Sequence, residues 1–439
     1  MGFENLPARC YFIGIGGVSM SALALLLHER GYAVRGSDLC ESDFTALLRR
    51  RGISVDIGQS EVIDEDAVVY TGAVGEENPQ FAAAKRAGKR LIARSELLGW
   101  VASTFQRTLA VAGCHGKTST TSMLAHIFAS GNRAFTCHIG GEDLSFGNYF
   151  RTGEEFFITE ACEFQRSFLS IQSEVALILN TDRDHTDCYA DDGETAQAYA
   201  LFAAGAQRAV VNADDRNARK IPHELSFGRY CGDVTAGHIY TDGEKYRFTV
   251  IEKSVPMVDI QLAVCGEVHI QNALAAYAAS RLMGLSAAEI KRGIETFCGV
   301  KRRFEKVGTL AGVPVICDYA HHPAEIEATL KTSQRLCRGT VRLVFQPHTY
   351  TRTRDLMEDF VAVLKKAESP IIYKTYAARE PFEHSGSAYA LVSRVPEASY
   401  VQSPEQLKQR LLAEAGRDDL ILILGAGDVY SAAKSILDA

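Results

Sequence analysis

A run of small residues around one lysine is the first feature of this sequence that could do chemistry. The residues GCHGKTS at 113–119 follow the apolar stretch LAVA and precede a helical pattern. A loop between a strand and a helix directs backbone N–H groups and the positive end of the helix dipole at phosphate. Lys117 would reach the β- and γ-phosphates of a nucleotide, and Thr118 would offer its hydroxyl to Mg²⁺. The strict phosphate-loop pattern fails because Val111 stands in place of its first glycine, so an ordinary strand–helix turn is the alternative.

A second glycine-rich turn, GIGGVS at residues 14–19, follows the strand-like residues CYFI. It is similar to a dinucleotide-binding fingerprint, but Ser19 stands where the third glycine belongs. Ser37 and Asp38 close the next predicted strand, where an acid that binds ribose would be found. The turn therefore indicates a ligand that carries a diphosphate. Binding of NAD and a purely structural tight turn remain alternatives.

Two further predicted strands end in polar side chains. Glu160 closes the strand FFITE, and His185 follows the strand ALILN within the residues TDRDH. Ligands of parallel sheets gather at the carboxyl ends of the strands, so both side chains should lie at the same sheet edge as the phosphate loop. Oxygen and nitrogen donors beside a nucleotide are suited to magnesium. The alternative is that each residue caps a neighbouring helix.

The last third of the chain contains two polar motifs that follow predicted strands. The residues DYAHHPAE at 318–325 follow VPVIC, but the spacing of their histidines is not that of a zinc protease. Pro323 is expected to open a helix at its first turn. The residues QPHTYTRTR at 346–354 follow VRLVF, and an arginine there could bind a carboxylate through two hydrogen bonds. A solvated loop is the alternative.

Strands that alternate with helices must position all of these residues, which predicts an α/β fold with parallel sheets and right-handed crossovers. Glycine-rich turns between a strand and a helix recur three times, the last in LILILGAGDVYSAAKSIL. At 439 residues the chain is long enough for about three domains. We expect boundaries near Gln106 and Glu305, which give domains of residues 1–106, 107–305 and 306–439. Antiparallel hairpins are predicted between His238 and Val264.

Composition excludes several classes of function. The net charge of −7 arises from 54 acidic and 47 basic residues, without a basic patch for nucleic acid. The longest candidate apolar run, Ala22 to Leu27, is too short to span a membrane, and the first residues do not have the pattern of a signal peptide. Eleven scattered cysteines indicate thiols in a reducing cytoplasm rather than disulfides or a zinc site.

Taken together and in order, these segments resemble the Mur ligase family, and in particular its alanine-adding branch. The matching stretches include FIGIGGVSMSALA, AVAGCHGKTSTTSM, LNTDRDHTDCY, HIQNALAA, GVKRRFE, DYAHHPAE and FQPHTYTRTRD, and they cover nearly the whole chain. The resemblance implies three domains: a Rossmann-like domain for a UDP-sugar, a central ATPase domain, and a Rossmann-like domain that closes over both and helps to hold the amino acid. It implies an ATP-dependent ligase that joins L-alanine to the carboxylate of UDP-N-acetylmuramate through an acyl phosphate. The expected cofactors are ATP and Mg²⁺, and the protein is expected to be a monomer or homodimer.

The resemblance also assigns residues to roles. It implies contact with the UDP-sugar or the amino acid for Gly16, Gly17, Ser19, Met20, Ser37, Asp38, His185, Tyr319, His321 and Arg352. ATP would contact Gly113, Cys114, His115, Gly116, Lys117, Thr118, Ser119, Asn272, Arg303 and Asp318. Thr118, Glu160 and His185 would hold metal, and the catalytic residues would be Lys117, Arg303, His321 and Arg352.

The chain departs from the family in a loop expected to face the sugar. Much of the branch reads EADESD where this chain reads EACEFQ at 160–165, so Cys162 and Gln165 remove two acids. Other Mur ligases use a carbamylated lysine after the Asp-His motif, and this chain has no lysine between Asp184 and Lys220. Two other kinds of ATP-dependent amide ligase, a muramyl-tripeptide-recycling enzyme and a folylpolyglutamate-type synthetase, are alternative functions. A nucleotide-sugar sensor without activity and an NAD-dependent dehydrogenase are the others.

Overall fold

A computed structural model describes residues 6–59, 63–72, 74–182, 188–189, 191–378 and 380–438. The helices and strands of these residues form three consecutive units, each built around its own sheet. We call them the N-terminal unit (Arg9–Ser103), the central unit (Arg107–Thr296) and the C-terminal unit (Glu305–Ile436).

The N-terminal unit is a five-stranded parallel sheet in the order β3-β2-β1-β4-β5. The apolar residues of its first strand are buried on both sides, as expected for a parallel sheet covered by helices. Its elements are β1 (Arg9–Ile13), α1 (Val18–Glu29), β2 (Ala33–Asp38), α2 (Asp43–Arg50), β3 (Ser54–Ile57), β4 (Ala67–Tyr70), α3 (Pro79–Arg86), β5 (Arg90–Ala93) and α4 (Arg94–Ser103).

The central unit contains a ten-stranded mixed sheet in the order β15-β14-β13-β12-β11-β10-β6-β9-β7-β8. The predicted antiparallel hairpins are present, and they extend this sheet at one edge. The hairpin β7–β8 at the other edge was not predicted. The elements are β6 (Arg107–Ala112), α5 (Lys117–Ser130), β7 (Phe135–Asp143), β8 (Gly147–Arg151), β9 (Phe156–Glu160), β10 (Val175–Ile178), α6 (Asp192–Ala204), β11 (Arg208–Asn212), β12 (Leu225–Phe227), β13 (Val234–Thr241), β14 (Lys245–Glu252), β15 (Val255–Cys265), α7 (Val268–Leu282) and α8 (Ala287–Thr296).

The C-terminal unit is a six-stranded sheet in the order β16-β17-β21-β18-β19-β20, parallel except for β16. Pro323 opens α9 at its first turn, as predicted, and His322 caps that helix. The elements are β16 (Glu305–Leu310), β17 (Val313–Asp318), α9 (Pro323–Leu336), β18 (Val341–Phe345), α10 (Tyr350–Asp355), α11 (Met357–Leu364), β19 (Ile371–Tyr373), α12 (Ala388–Val392), β20 (Ser399–Val401), α13 (Pro404–Glu414), β21 (Leu420–Leu424) and α14 (Val429–Ile436).

The hydrophobic core is divided unevenly among the three units. One buried cluster runs from the N-terminal unit into the central unit, where Phe105 stacks on Phe157 with ring centroids 4.8 Å apart. The two clusters of the C-terminal unit take their buried members only from Leu310 onward. The predicted α/β fold with three sheets is confirmed, and the third sheet has a separate core.

Candidate active site

The predicted phosphate loop connects the end of β6 to the first turn of α5, as its sequence indicated. Gly116 lies in the left-handed region with φ of 81°, where a side chain is strained. A Cβ at this position would lie 2.7 Å from Oδ1 of Asn272, on α7. Glycine therefore allows α7 to approach the loop, which brings the two predicted nucleotide-binding segments together.

Lys117 begins α5 and lies within an acidic pocket. Its Nζ donates to Oε2 of Glu163 at 2.9 Å, to the carbonyl of Cys114 at 3.2 Å and to the carbonyl of Gly113. The Glu163 side chain is 2% exposed. Burial lowers the pKa of Lys117, but the adjacent Glu163 carboxylate more than offsets this and holds the pKa above its ordinary value. Lys117 is therefore a permanent cation at the base of the loop.

Glu160, at the end of β9, faces the same loop. Its Oε2 accepts from the Thr118 hydroxyl at 3.3 Å, and its Oε1 accepts from the Gly140 N–H at 2.6 Å. Burial raises the pKa of Glu160, against the opposing effects of the Gly140 N–H and of Lys117. A carboxylate beside a hydroxyl at a phosphate loop is a donor set suited to Mg²⁺, so these residues fit a magnesium ion. The third predicted ligand, His185, lies outside the described residues, and the described residues form no group of three possible His, Cys, Asp or Glu ligands.

A cleft of about 480 Å³ opens beside the phosphate loop, between the central and C-terminal units. Its lining includes six predicted nucleotide-binding residues: His115, Gly116, Ser119, Asn272, Arg303 and Asp318. The other four, Gly113, Cys114, Lys117 and Thr118, are not part of the lining; the sulfur of Cys114 contacts the carbonyl of Asp182 and lies 3.7 Å from the Tyr199 hydroxyl. The backbone carbonyl of Cys114 accepts from Lys117.

Charged side chains meet where the C-terminal unit borders the phosphate loop. Oε1 of Glu325, on α9, lies 3.1 Å from Nδ1 of His115 and 3.9 Å from the guanidinium of Arg303. Burial raises the pKa of Glu325, but His321, His115 and Arg303 overcome this and hold it well below its ordinary value. Asp318 lies at the same junction, and burial raises its pKa to about 6. The Asp318 carboxylate accepts from the backbone N–H groups of Phe304 at 2.6 Å and Ala320 at 2.8 Å.

The remaining predicted residues of the C-terminal unit form a second polar cluster. Nδ1 of His321 lies 2.9 Å from the Tyr319 carbonyl, which leaves Nε2 as its acceptor when the ring is neutral. The rings of His321 and His348 are 5.8 Å apart. A guanidinium nitrogen of Arg352 lies 3.1 Å from Nδ1 of His348, and the ring of Tyr376 stacks on that histidine with ring centroids 5.4 Å apart. The structure thus groups Tyr319, His321 and Arg352, which are distributed over 34 positions of the sequence.

The glycine turn of the N-terminal unit is held by the two residues that close β2. The carbonyl of Ser37 accepts from the N–H groups of Gly14 and Ile15, and Oδ2 of Asp38 accepts from the Gly16 N–H at 2.8 Å. A Cβ at Gly16 would lie 2.8 Å from that same carboxylate oxygen. The Ser37 hydroxyl is buried against Gln80, so it supports the turn from behind.

The start of α1 combines exposed and buried positions. Gly17 is exposed at the helix N-terminus and Ser19 is the second residue of the helix, whereas Met20 is 2% exposed and packs in the core. The Ser19 hydroxyl lies 2.8 Å from Nε2 of His138, on β7, and 3.2 Å from Arg94. The turn and the helix N-terminus therefore form an anion-binding geometry that opens toward the central unit.

Sequence reasoning missed four residues of this site: Arg94, Glu163, Glu325 and His348. Glu163 and Glu325 stand inside the motifs EACEFQ and DYAHHPAE, but nothing in either motif indicates contact with Lys117 or His115. His348 follows a predicted strand in the donor-rich motif QPHTYTRTR, and that position was the only available signal. Arg94 had no signal in the sequence.

The composition also led us to expect free cysteines and no membrane-spanning segment. All eleven cysteines lie among the described residues, and they form no disulfide. Across the part of the chain that the structure describes, no helix is both long enough and apolar enough to span a lipid bilayer.

Comparison with known proteins decides the family. The Mur ligase catalytic domain matches residues 9–106, the Mur ligase middle domain matches residues 111–280, and the Mur ligase glutamate ligase domain matches residues 302–427. A UDP-N-acetylmuramate–L-alanine ligase of Agathobacter rectalis is 37% identical over 453 residues, which cover 98% of each chain. The chain belongs to the Mur ligase family.

Solved Mur ligase structures extend the comparison to three dimensions. The UDP-N-acetylmuramate–alanine ligase of Thermotoga maritima superimposes with a TM-score of 0.85 at 26% identity, and the match covers 98% of both chains. A murein peptide ligase of Psychrobacter arcticus has the same fold, with a TM-score of 0.75 at 21% identity and the same coverage. The predicted resemblance to this family, with its three-domain fold, is confirmed.

Proposed function

We propose that this Mur ligase joins L-alanine to the carboxylate of UDP-N-acetylmuramate, with hydrolysis of ATP to ADP and phosphate, as a step of peptidoglycan synthesis. The observation that carries the proposal is the full-length likeness to proteins named for this reaction, at 37% identity. The geometry supports it, because one cleft joins the phosphate loop to a junction of charged groups, and His321 of the second polar cluster lies 3.5 Å from Glu325 at that junction. ATP and nucleotide sugars are made in the cytoplasm, where we expect the enzyme to act as a monomer or homodimer.

The substrates are assigned to the three units by the chemistry of their binding groups. The diphosphate of the UDP-sugar takes the glycine turn and the N-terminus of α1, with Gly16, Gly17 and Ser19 nearest to it. ATP takes the cleft beside the phosphate loop, with Asn272 at its wall. Arg352 is the cation for the alanine carboxylate. We propose domain boundaries at residues 106 and 305, which lie where one sheet of the structure gives way to the next.

Magnesium would be held by the Thr118 hydroxyl and the Glu160 carboxylate, with His185 as a further ligand. When bound, the ion neutralises charge on the phosphates of ATP. The chain contributes two other cations to this task. Lys117 is buried at the loop, and the charge of Arg303 acts on Glu160 across the same space.

A carboxylate and an amine do not condense in water, so the carboxylate must first acquire a leaving group. A muramyl carboxylate oxygen attacks the γ-phosphorus, the bond to ADP breaks, and an acyl phosphate forms. Catalysis of such a transfer depends on placement and charge neutralisation rather than on covalent chemistry by the protein. Lys117 and Arg303 stabilise the negative charge that spreads over the transferring group.

The amine of alanine then attacks the acyl carbon, and phosphate leaves with the electrons of the broken C–O bond. The ammonium group must lose protons for this step. His321 is suited to accept one at Nε2, because its Nδ1 is engaged by the Tyr319 carbonyl. The acyl phosphate would hydrolyse if water reached it, so contact between α9 and the phosphate loop has a protective role.

An assay of ADP release tests this proposal. The full chain is given ATP and Mg²⁺ with UDP-N-acetylmuramate and a panel of amino acids, and controls omit one substrate at a time. We expect release that requires both the nucleotide sugar and a small amino acid, with L-alanine preferred. Release with the free tripeptide L-alanyl-γ-D-glutamyl-meso-diaminopimelate in place of alanine would instead identify a recycling ligase. Binding of the nucleotide sugar without any phosphate release would identify a sensor.

A further inference from the structure

A line of hydrogen bonds crosses the boundary between the N-terminal and central units beside the candidate active site. It begins at Arg94, whose guanidinium donates to the Ser19 hydroxyl at 3.2 Å. Ser19 lies 2.8 Å from Nε2 of His138, and Nδ1 of that ring lies 3.0 Å from the Thr159 hydroxyl. Thr159 donates to the backbone carbonyl of Glu160 at 3.0 Å. The line thus connects the proposed diphosphate site with the proposed metal ligand.

The directions of these hydrogen bonds can be assigned from the donors available. Because the Thr159 hydroxyl gives its only proton to the Glu160 carbonyl, it must accept from Nδ1–H of His138. Nε2 of a neutral ring is then an acceptor, and it takes the proton of the Ser19 hydroxyl. The Ser19 oxygen in turn accepts from Arg94. The Nδ1–H tautomer of His138 is therefore consistent with every hydrogen bond of the line.

The surroundings of His138 hold it in this neutral form. The residue is 3% exposed, and burial followed by the charge of Arg94 lowers its pKa to about 3. The same strand makes a second connection, because Gly140, two residues after His138, donates its N–H to the Glu160 carboxylate. Both the backbone and the side chain of Glu160 are therefore fixed by groups that belong to β7 or contact it.

We propose that His138 is a positioning residue that couples the UDP-sugar site to Glu160, so that the nucleotide sugar and the phosphate loop are held at the distance that phosphoryl transfer requires. The inference depends on the proposed function, which supplies the two sites that are coupled. His138 touches neither substrate; it acts through Ser19 on one side and through Thr159 on the other. A misplacement of about 1 Å is sufficient to lower a rate by about a hundredfold, so the coupling can be measured.

Two substitutions separate the two halves of the line. His138→Gln can place an amide oxygen near Nε2 and keep the contact with Ser19, whereas His138→Asn can place an amide N–H near Nδ1 and keep the contact with Thr159. We expect both to lower kcat for UDP-N-acetylmuramate by about ten- to a hundredfold, since each interrupts the line. His138→Asn should also raise the KM for the nucleotide sugar. The Kd for Mg-ADP, measured by calorimetry, should stay within about twofold of the original value.

Asn148 provides the matched control. Its amide also crosses this boundary, donating to the Val18 carbonyl at 2.7 Å and to the Ser21 hydroxyl at 2.9 Å, but it does not reach Glu160. Asn148→Ala should lower the thermal midpoint without lowering kcat more than about twofold. If Asn148→Ala reduced kcat as much as the His138 variants, the whole boundary rather than the line would be responsible, and the proposal would be overturned.

A measurement that needs no turnover distinguishes failure of this inference from failure of the proposed function. In the histidine-labelled full chain, the ¹⁵N resonances of His138, assigned by their loss in His138→Gln, should be those of a neutral Nδ1–H tautomer. They should keep that form at pH 5. An Nε2–H tautomer or a charged ring would overturn the line, whatever reaction the enzyme catalyses. Absence of ADP release in the unsubstituted chain, with the expected tautomer present, would contradict the reaction and with it the assigned role of the line.

Discussion

The central unit meets its two neighbours in different ways. Toward the N-terminal unit it shares a continuous hydrophobic cluster, and the side chains that meet across the boundary nearest the site, Ser19 and His138, are uncharged, although Arg94 of the N-terminal unit also donates to Ser19. Toward the C-terminal unit, where no described hydrophobic cluster spans the boundary, the contacts near the cleft are charged, as in His115–Glu325. A shared core fixes two units as one body, whereas charged groups beside a cleft can exchange their partners for a ligand's phosphates.

The segment between the second and third units fits this difference. Gly299, Arg302 and Phe304 all have φ in the left-handed region, at 111°, 62° and 49°. Such residues are found where a chain changes direction sharply between two units. We therefore propose that the first two units form a fixed platform for the sugar and the nucleotide, and that the third is the unit that closes.

The largest effect should follow from removal of the cation on the platform side. We expect Lys117→Ala to lower the rate of ADP formation by about a thousandfold or more, because the transferring phosphoryl group loses its fixed positive partner. The rate of UDP-N-acetylmuramate-dependent ADP release measures this. Lys220→Ala, an exposed lysine of the same unit, is the control.

The Lys117→Ala variant should also be less stable, because the buried Glu163 carboxylate loses its ion-pair partner. The double variant Lys117→Met/Glu163→Gln removes both charges and should be folded and equally inactive. Normal turnover in a folded variant of either kind would remove the phosphate loop from the mechanism.

Much of the fold could be predicted from the sequence, and the reason is local. The strands before Gly14, Gly113 and Gly425 are short apolar runs that end in glycine, so strand, turn and helix are all encoded within about 20 residues. The hairpin β7–β8 was missed because the residues GGEDLSFGN, which form the end of β7, the turn and the start of β8, show no alternation of apolar and polar side chains. Pairs such as His115–Glu325, 210 positions apart, cannot be inferred from spacing at all. The roles of Asn272 and Arg352 depended on the family resemblance.

A second test compares the buried histidines at the two boundaries. Burial lowers the pKa of His269, on the wall of the cleft beside the phosphate loop, to about 4, as it lowers that of His138 to about 3. Each histidine ionises near pH 6.5 in the unfolded chain, so unfolding takes up protons below that pH. Their contribution to stability is present above pH 6.5 and is lost as the pH falls toward the folded values.

The proton uptake on unfolding can be measured by calorimetry in buffers of different ionisation enthalpy. At pH 5 we expect His269→Gln to take up about one proton fewer than the unsubstituted chain, and His138→Gln likewise. This corresponds to a dependence of stability on pH that is smaller by about 1.4 kcal/mol per pH unit. Unchanged uptake would show that the histidine is already charged in the folded protein. His223→Gln, at an exposed position, provides the comparison.

A third test addresses the closing side. We expect Arg352→Ala to raise the KM for alanine by about ten- to a hundredfold, while the KM for ATP changes by less than about threefold, because a charge-assisted pair with the amino acid's carboxylate is lost. Arg354→Ala is a close control, since Arg354 lies two residues away and pairs with Glu383 at the surface. Equal effects on both KM values would show that Arg352 serves the closing motion rather than the amino acid.

The smallest effect on activity should follow from a substitution near the C-terminal end of α9, at the charged boundary between the central and C-terminal units. Arg335 on that helix contacts the Tyr246 hydroxyl and lies 3.2 Å from Glu267. Both partners belong to the central unit: Tyr246 lies in β14, and Glu267 directly precedes α7. The contact is partly exposed, so Arg335→Gln should raise the KM for ATP only about two- to fivefold. Raising the ionic strength from about 0.05 to about 0.5 M should have a similar effect on the unsubstituted chain and little further effect on the variant.

Lys366→Gln is the control. It removes the exposed pair with Glu327, which lies on the same helix but pairs within the C-terminal unit, and it should change neither the KM for ATP nor the dependence of that KM on ionic strength. If salt instead weakened binding of the nucleotide sugar and left ATP unaffected, the charged boundary would not be the one that opens, and the division into a fixed platform and a closing unit would have to be reversed.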